Sequence, residues 1–237
     1  MSNARYNALT HIGNVRKINE DSILALPEQN LWAVSDGMGG HEGGDYASQT
    51  VVEKLLLLPL DLTPSELMHS VREALFQAHS TIRSQAEKIN VSTMGATAVA
   101  MLISDNHLVA FWAGDSRLYR LRDGQIEMLT SDHSLVAELV VAGELTWDEA
   151  EKHPQSNAIT RAVGVGEDLE LDKVRGETEV GDRYLLCSDG LTKYATFDIL
   201  LNAMTGTPIE TVSEKLLTIA LDGGGADNIS IIVVDIQ

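Results

Sequence analysis

Four short apolar segments follow one another in the middle of the chain, with only a few residues between them: 97–103, 107–113, 118–121 and 126–129. Residues 104–106 and 122–124 are turn formers between neighbouring segments. A parallel pair of strands needs a crossover of roughly a dozen residues or more, which these gaps do not provide. The spacing therefore predicts consecutive antiparallel strands and not alternating β-α-β units.

Helical and further strand patterns surround this region. Apolar residues recur every three or four positions between 67 and 82, after Pro64, which favours the first turn of a helix. We also predict helices at 47–58 and 208–221, and two short helices within 134–152 that break at Gly143. Further strands are predicted at 22–26, 31–34, 183–187 and 229–236. Without a repeat or a linker, residues 1–237 are predicted to form one α+β domain.

The charge balance is strongly acidic. Lysine and arginine number 17 against 35 aspartates and glutamates, a net charge of −18. Proteins that bind nucleic acids or anionic membranes usually carry a basic surface, so neither partner is expected. Hydrophobic residues make up 44% of the chain, which is typical of a globular protein and not of a disordered one.

Cysteine usage and the N-terminus bear on location. Cys187 is the single cysteine, so no intrachain disulfide can form, and the first residues lack the apolar core of a secretory signal. No apolar run approaches the ~20 residues of a membrane span. These features predict a soluble, cytoplasmic protein.

Aspartates recur at the ends of the predicted strands. Asp36 and Asp189 each follow an apolar strand and precede a glycine, Asp115 ends a third strand, and Asp227 precedes a fourth. A single Asp-Gly pair is most often only a turn. In an antiparallel sheet, however, the end of one strand lies beside the start of its neighbour, so the four carboxylates can converge. Clustered carboxylates repel unless neutralised, and oxygen ligands favour hard ions such as Mg²⁺ or Mn²⁺.

A charged segment near the N-terminus is a second candidate. Arg16 and Lys17 lie close to Glu20 and Asp21. The segment is about equally consistent with an exposed charged loop and with a site. In a site, the planar guanidinium of Arg16 would clamp a phosphate while the acids face metal ions.

Other hydrolase chemistries fit less well. Lys193 replaces the arginine of a Cys-x5-Arg nucleophile motif, and Cys187 lies within a predicted strand, so we interpret the cysteine as a core residue. The pair His41-Glu42 lacks the second histidine of a zinc protease motif, because Asp45 stands in its place. The sequence also has no Gly-x4-Gly-Lys-Ser/Thr phosphate-binding loop.

Seven short stretches of the sequence are informative when they are taken together. They are Arg16-x3-Glu20-Asp21-Ser22, Asp36-Gly-Met-Gly-Gly-His41, Met94-Gly-x-Thr97, Gly114-Asp-Ser-Arg117, Ser131-Asp-His-Ser134, Ser188-Asp-Gly-Leu191 and Asp227-Asn228. Together they resemble the metal-dependent protein phosphatases, the type 2C serine/threonine family, in its compact bacterial form. Each stretch alone is weak, but seven in the family's order, across nearly the whole chain, are specific. The resemblance implies an α-β-β-α sandwich: two antiparallel β-sheets flanked by pairs of antiparallel helices, with a metal centre at one end.

The resemblance implies roles for the strand-end residues. Asp36 would bridge two metal ions, and the carbonyl group of Gly37 would bind one of them. Asp189 and Asp227 would complete the first metal site.

It also implies ligands for further ions. Asp21 would hold the second ion, directly or through water, and Glu20 is the competing ligand for that role. Asp115 would help Asp189 to hold a third, weaker ion, and Asn228 would orient its neighbour. Residues 131–164 would form a flap beside the site.

The implied reaction is hydrolysis of phosphoserine and phosphothreonine on proteins. Two Mn²⁺ or Mg²⁺ ions lower the pKa of a bridging water, which attacks phosphorus in line while Arg16 balances the phosphoryl charge, without a covalent enzyme intermediate. In animal members a histidine follows the Asp-Gly pair, whereas this chain has Met38 there. His41 and metal-bound water are therefore alternative general acids.

The implied partners are phosphorylated proteins and a bacterial serine/threonine kinase that the enzyme opposes, and a monomer is expected. A catalytically silent binding module with this fold is the alternative, although such modules usually lose metal aspartates and none is missing here. A general acidic cation-binding protein is a third interpretation, but no Asp-x-Asp-x-Asp-Gly calcium loop is present.

Overall fold

Eleven strands and seven helices are seen in a computed structural model that describes residues 4–39, 43–104 and 106–237. The strands are β1 (Ala4–His11), β2 (Asp21–Leu26), β3 (Leu31–Met38), β4 (Gly95–Ala96), β5 (Ala98–Ser104), β6 (His107–Ala113), β7 (Arg117–Arg122), β8 (Gln125–Met128), β9 (Asp172–Glu177), β10 (Arg183–Cys187) and β11 (Ile229–Ile236). The helices are α1 (Gly43–Leu56), α2 (Pro64–Ile89), α3 (Leu135–Val141), α4 (Trp147–Ala150), α5 (Asp189–Thr192), α6 (Phe197–Met204) and α7 (Ile209–Gly223).

The strands form two sheets in which the paired strands run antiparallel. The first sheet has the order β1-β11-β10-β7-β8. The second has the order β2-β3-β5-β6-β9, with the short β4 paired to β3. The predicted meander is thus divided: β5 and β6 pair in one sheet, while β7 and β8 pair in the other.

The buried side chains form three layers. One layer lies between the sheets and includes Trp32, Met101 and Leu186. A second joins α1 and α2 to the outer face of the β2–β9 sheet, and a third joins α6 and α7 to the outer face of the β1–β8 sheet. Neighbours on β3 belong to different layers, Leu31 to the outer and Trp32 to the inner one, because successive strand side chains point to opposite faces. This architecture confirms the predicted α-β-β-α sandwich.

The long helix α2 begins where the sequence predicts. Thr63 is its N-cap: the side chain accepts a hydrogen bond from the backbone of Glu66, and the Glu66 carboxylate accepts one from the backbone of Thr63. Pro64 occupies the first turn, and Asn90 ends the helix in the left-handed conformation. Such reciprocal capping satisfies two backbone donors that a helix start otherwise leaves unpaired.

Three strands and two helices escaped the sequence patterns: β1, β4, β9, α5 and α6. β1 and β9 are edge strands whose side chains are mostly exposed or half-buried, so they lack a buried apolar run. β4 and α5, with two and four residues, are too short to show a periodic pattern. The break near Gly143, between α3 and α4, was predicted correctly.

In the ranges that the structure describes, no helix combines the length and the hydropathy needed to cross a lipid bilayer. Cys187 is fully buried in the layer under α6 and α7, which agrees with its interpretation as a core residue. Burial raises the pKa of its thiol, so the thiolate needed for nucleophilic attack is disfavoured.

Candidate metal centre

The predicted convergence of aspartates occurs at one end of the sandwich. We call these five residues the aspartate cluster: Asp21, Asp36, Asp115, Asp189 and Asp227. Asp21 opens β2 and Asp36 lies on β3 directly opposite it. The other three lie just after β6, just after β10 and just before β11. The fold therefore brings together the four aspartates that the strand pattern predicts, and it adds Asp21 from the start of β2.

A cavity of about 280 Å³ opens at this end of the sandwich. It is lined by eight of the ten residues predicted for the site, namely Arg16, Glu20, Asp36, Gly37, Asp115, Asp189, Asp227 and Asn228. Asp21 is buried and lies outside the lining. His41, the predicted general acid, lies outside the described residues, whereas Met38 lines the cavity.

A hydrogen-bonded network fixes Asp36. Its backbone N–H donates to the hydroxyl of Thr97 at 2.9 Å, and the Thr97 N–H donates to the Asp36 carbonyl at 2.8 Å. The Thr97 hydroxyl is also 2.7 Å from that of Ser116, and Ser35 donates to the Thr97 carbonyl at 2.6 Å. These contacts explain why a threonine belongs to the Met94-Gly-x-Thr97 stretch.

Asp21 is held from the other sheet. The hydroxyl of Ser188 donates to one oxygen of the Asp21 carboxylate at 2.7 Å and accepts from the backbone N–H of Ser230 at 3.0 Å. Burial raises the pKa of Asp21 to about 7, although hydrogen bonds from Ser188 and Ser230 oppose the shift. Nothing in the local sequence indicates this contact, since the two residues are separated by 167 positions.

Three carboxylate oxygens in the cluster are buried without a hydrogen-bond partner, one each on Asp21, Asp115 and Asp189. An unpaired buried oxygen is costly unless a donor or a cation meets it. All-oxygen donors of this kind suit hard divalent cations. Within the described ranges, no three histidine, cysteine or acidic side chains are already grouped closely enough to hold a metal ion. The residues therefore fit a metal centre as donors.

The pKa shifts within the cluster also favour a cation site. Burial raises the pKa of Asp36 well above its ordinary value, and the nearby charges of Asp21, Asp189, Asp115 and Asp227 raise it further. Burial also raises the pKa of Asp115, with Asp189 adding to the shift. Cations bound here would remove this repulsion.

Two cationic side chains already contact the cluster. Lys193 lies 2.7 Å from Asp189 and 3.0 Å from Asp227, and Arg16 lies 2.8 Å from the same oxygen of Asp227. Burial alone would raise the pKa of Asp227, but Lys193 and Arg16 lower it. The sequence signal for Lys193 is its position four residues after Asp189, which places the two side chains on one helical face. In the sequence patterns Lys193 otherwise only replaces the arginine of a Cys-x5-Arg motif.

Asn228 organises the segment that carries Arg16. Its side-chain amide donates to the carbonyls of Ile12 and Ile18 at 2.9 and 3.0 Å, and its side-chain oxygen accepts from the backbone N–H of Glu20 at 2.8 Å. Its own backbone N–H donates to the Asp227 carboxylate at 2.9 Å. The predicted orientation of Asp227 thus involves the Asn228 backbone, while the Asn228 side chain fixes residues 12–20.

Glycine is required after two of the aspartates. A Cβ atom on Gly37 would collide with the backbone carbonyls of Gly44 and Glu20, and one on Gly190 would collide with the carbonyl oxygen of Asn228. The absence of a side chain therefore allows the close backbone approach that the Asp-Gly pairs predict.

Residues 131–164, the predicted flap, contain α3 and α4 and cover one side of the cavity, where Asn157 and Ile159 line it. A buried arginine attaches the flap to the sheet. Arg117 binds Asp132 at 2.6 Å and Glu151 at 2.7 Å, and its guanidinium lies 5.1 Å from the ring centre of Trp147.

Buried histidines hold both ends of the flap. His133 accepts a hydrogen bond from the Gly114 N–H at 3.1 Å, next to Asp115, and His79 accepts one from the Gly164 N–H at 2.9 Å. Burial lowers the pKa of both imidazoles, which favours the neutral form that can accept these bonds. His133 belongs to the Ser131-Asp-His-Ser134 stretch, whereas His79 lies in none of the seven stretches.

Comparisons with known proteins agree with this architecture. A profile of the protein phosphatase 2C family matches residues 11–220. The serine/threonine protein phosphatase PstP of Mycobacterium tuberculosis is 39% identical over 233 residues, covering 98% of this chain and 45% of that relative. The chain thus spans about half the length of that protein.

Solved structures match over almost the whole chain. PppA of Pseudomonas aeruginosa, described as a key regulatory component of the T6SS, has a TM-score of 0.92 at 39% identity, covering 99% of this chain and 98% of that one. The catalytic domain of PstP in complex with two manganese ions has a TM-score of 0.89 at 37% identity, with 98% of each chain covered.

The two-sheet sandwich therefore matches the catalytic domain of PstP. The chain belongs to the protein phosphatase 2C family, which confirms the resemblance seen in its sequence.

Proposed function

We propose that this protein hydrolyses phosphoserine and phosphothreonine on other proteins with the help of divalent cations bound at the aspartate cluster. The observation that carries the proposal is the set of buried, unpartnered carboxylate oxygens on Asp21, Asp115 and Asp189, beside a cavity that Arg16 also lines. Hard cations satisfy such oxygens, and a guanidinium fork matches a phosphate. All five aspartates are in place, so the site gives no support to a catalytically silent binding module.

In this proposal Asp36 would be a ligand of two ions. Asp189, Asp227 and the carbonyl group of Gly37 would be the other ligands of the first ion. The support is that all four residues line the cavity and that the pKa of Asp36 is raised by the surrounding carboxylates. Both Mn²⁺ and Mg²⁺ suit these oxygen donors.

Asp21 would hold the second ion, directly or through water, and Glu20 is the competing ligand. Asp21 has a buried oxygen without a partner, and Glu20 lines the cavity. A third, weaker ion is assigned to Asp115 and Asp189. Each of these two residues has one buried oxygen without a partner.

Bound cations would supply Lewis acidity, holding the phosphate oxygens and lowering the pKa of an attacking water. The chain's own residues would position the substrate. Arg16 moves from Asp227 to the phosphoryl oxygens, where its charge offsets the negative charge of the transition state. Asn228 keeps the Arg16 segment in place. The leaving serine or threonine oxygen takes a proton from His41 or from water.

The proposed substrates are phosphorylated proteins, and the proposed setting is opposition to a bacterial serine/threonine kinase in the cytoplasm, with the protein acting as a monomer. Family membership supports phosphoprotein substrates. The buried, unpaired Cys187 is compatible with a reducing compartment.

The test is hydrolysis of a phosphothreonine peptide with Mn²⁺, with Mg²⁺ and with EDTA, beside a phosphotyrosine peptide. We expect metal-dependent turnover of the phosphothreonine peptide that EDTA and Asp36→Asn both abolish. Asp222→Asn, an exposed aspartate outside the cluster, is the matched control and should keep full activity. Turnover that survives EDTA or Asp36→Asn would contradict the proposal.

A further inference from the structure

We propose that Lys193 is a built-in cation that competes with divalent metal for Asp189 and Asp227, and so raises the metal concentration needed to fill the first site. The inference deepens the proposed function and rests on it, since it concerns the ion assigned to those two aspartates.

The geometry places one ammonium group between two proposed ligands. Its nitrogen lies 2.7 Å from an oxygen of Asp189 and 3.0 Å from an oxygen of Asp227. The three side chains are similarly shielded, with 20%, 17% and 20% of their surfaces exposed for Lys193, Asp189 and Asp227. The contact with Asp189 has the short distance of a charge-assisted hydrogen bond, and the contact with Asp227 is an ordinary hydrogen-bond distance.

The contacts of Lys193 fall on particular oxygens. On Asp189 it binds Oδ2, while Oδ1 is buried and unpartnered. On Asp227 it shares Oδ2 with Arg16, and Oδ1 accepts the Asn228 N–H. An ion that uses Oδ2 of both aspartates must therefore displace the ammonium group. An ion that meets the free oxygens of Asp21 or Asp115 displaces no lysine contact.

The charges set the direction of the effect. The five aspartates carry five negative charges when ionised, and Lys193 and Arg16 offset two of them. Because two negative charges are offset, a dication that approaches Asp189 and Asp227 is attracted less strongly. The ammonium group also repels the dication at short range, where charge interactions are only partly screened. The long, flexible lysine stem allows the group to swing into solvent once a metal binds. Lys193 thus keeps the two carboxylates paired in the metal-free protein and weakens metal binding most at the site that uses both of them.

The experiment is calorimetric titration of Mn²⁺ into the metal-free full chain and its variants. Lys193→Met removes the charge and keeps an unbranched side chain, and Lys193→Gln is a second, polar version. We expect both to tighten one class of Mn²⁺ site by at least ~10-fold, because the like charge is removed. Lys193→Arg, which keeps the charge, should stay close to the original affinity.

The matched control is Lys215→Met. Lys215 contacts the Ala203 carbonyl and the Thr207 hydroxyl, and its removal changes the net charge by the same amount. It should leave Mn²⁺ affinity unchanged. Melting in EDTA is an independent readout: Lys193→Met should melt at a lower temperature than the original chain, since Asp189 loses the lysine contact and Asp227 keeps only Arg16 as a cationic partner.

Equal affinities for the original chain and both charge-removing variants at Lys193 would overturn the inference, as would an equal gain in Lys215→Met. If the original chain and all variants bind no Mn²⁺, the proposed metal centre itself is wrong.

Discussion

Asp21 and Asp36 are directly opposite each other in the β2–β3 pair, so two carboxylates meet across neighbouring strands. Like charges in this position destabilise a sheet. Separate partners hold each residue: Ser188 from the other sheet for Asp21, and Thr97 on the same sheet for Asp36. The fold therefore maintains an unfavourable charge pair at the place where the proposed ions would neutralise it.

Replacing Asp36 by asparagine separates stability from function. We expect Asp36→Asn to reduce metal-dependent phosphatase activity by at least ~100-fold. Residues that only orient a metal ligand typically cost about 10-fold to 100-fold when they are replaced, and the loss of a proposed ligand should cost more. The metal-free protein should melt at the same or a higher temperature, since a repelling charge is removed. Activity assays and thermal melting in EDTA check both parts; a large loss of stability would contradict this view of the pair.

Ser188 should act by positioning Asp21. Ser188→Ala removes the hydroxyl that donates to Asp21 and accepts from Ser230, so we expect Mn²⁺ affinity to fall by roughly 10-fold to 100-fold at one site. Calorimetric titration measures the change. Ser213→Ala is the matched control, because Ser213 is also fully buried and donates to the Asn7 carbonyl away from the cluster. The two variants binding Mn²⁺ equally well would exclude a positioning role for Ser188.

The contact between Glu151 and Arg117 should hold the flap against the sheet. Glu151→Gln removes one charge from this buried group and should destabilise the attachment by about 2 kcal/mol, the usual range for a charged hydrogen bond. Hydrogen exchange should then increase within residues 131–164, while the strands of the core stay protected. Glu144→Gln, an exposed flap substitution, should exchange like the original protein. If residues 131–164 exchanged in Glu151→Gln at the same rate as in the original protein, the contact would not be what holds the flap.

Asp182 should make stability depend on pH at the opposite end of the sandwich. Its buried carboxylate accepts hydrogen bonds from Arg122 and Tyr184 and from the backbone of Glu179. Burial acts to raise its pKa, but these bonds together lower it below the ordinary value. Its stabilising contribution is therefore complete above the unfolded-state pKa and is lost as the pH falls toward the lower folded-state pKa.

We expect Asp182→Asn to lower the free energy of unfolding by about 2 kcal/mol at pH 7, the usual range for a charged hydrogen bond, because it removes the buried charge that accepts from Arg122 and Tyr184. The difference should persist at pH 5 and shrink below about pH 4. Urea unfolding in EDTA at pH 7, 5 and 3 measures it. Asp123→Asn, in the exposed turn between β7 and β8, should change stability by less than ~0.5 kcal/mol. If the difference in unfolding free energy grew as the pH fell, the assigned direction of the Asp182 pKa shift would be wrong.

Much of the fold was predictable because buried strands and helices leave local patterns. The strands that contain Trp32 and Cys187 have apolar runs, and the spacing on α2 follows one buried face. The edge strands β1 and β9 bury few side chains, so their sequences lack that signal. They are strands because β11 and β6 offer them backbone hydrogen-bonding partners.

By itself the sequence determined which residue types stand at the strand ends: the aspartates, the glycines after Asp36 and Asp189, and Arg16 near the start of the chain. Only the tertiary structure decided how they pair. It placed Ser188 on Asp21, the side chain of Asn228 on the Arg16 segment, and Lys193 between two carboxylates. Most of these contacts join residues far apart in the chain, and their geometry depends on how the two sheets are stacked. A local pattern records burial and turn preference, whereas a binding site depends on which strand ends the stacked sheets bring within hydrogen-bonding distance.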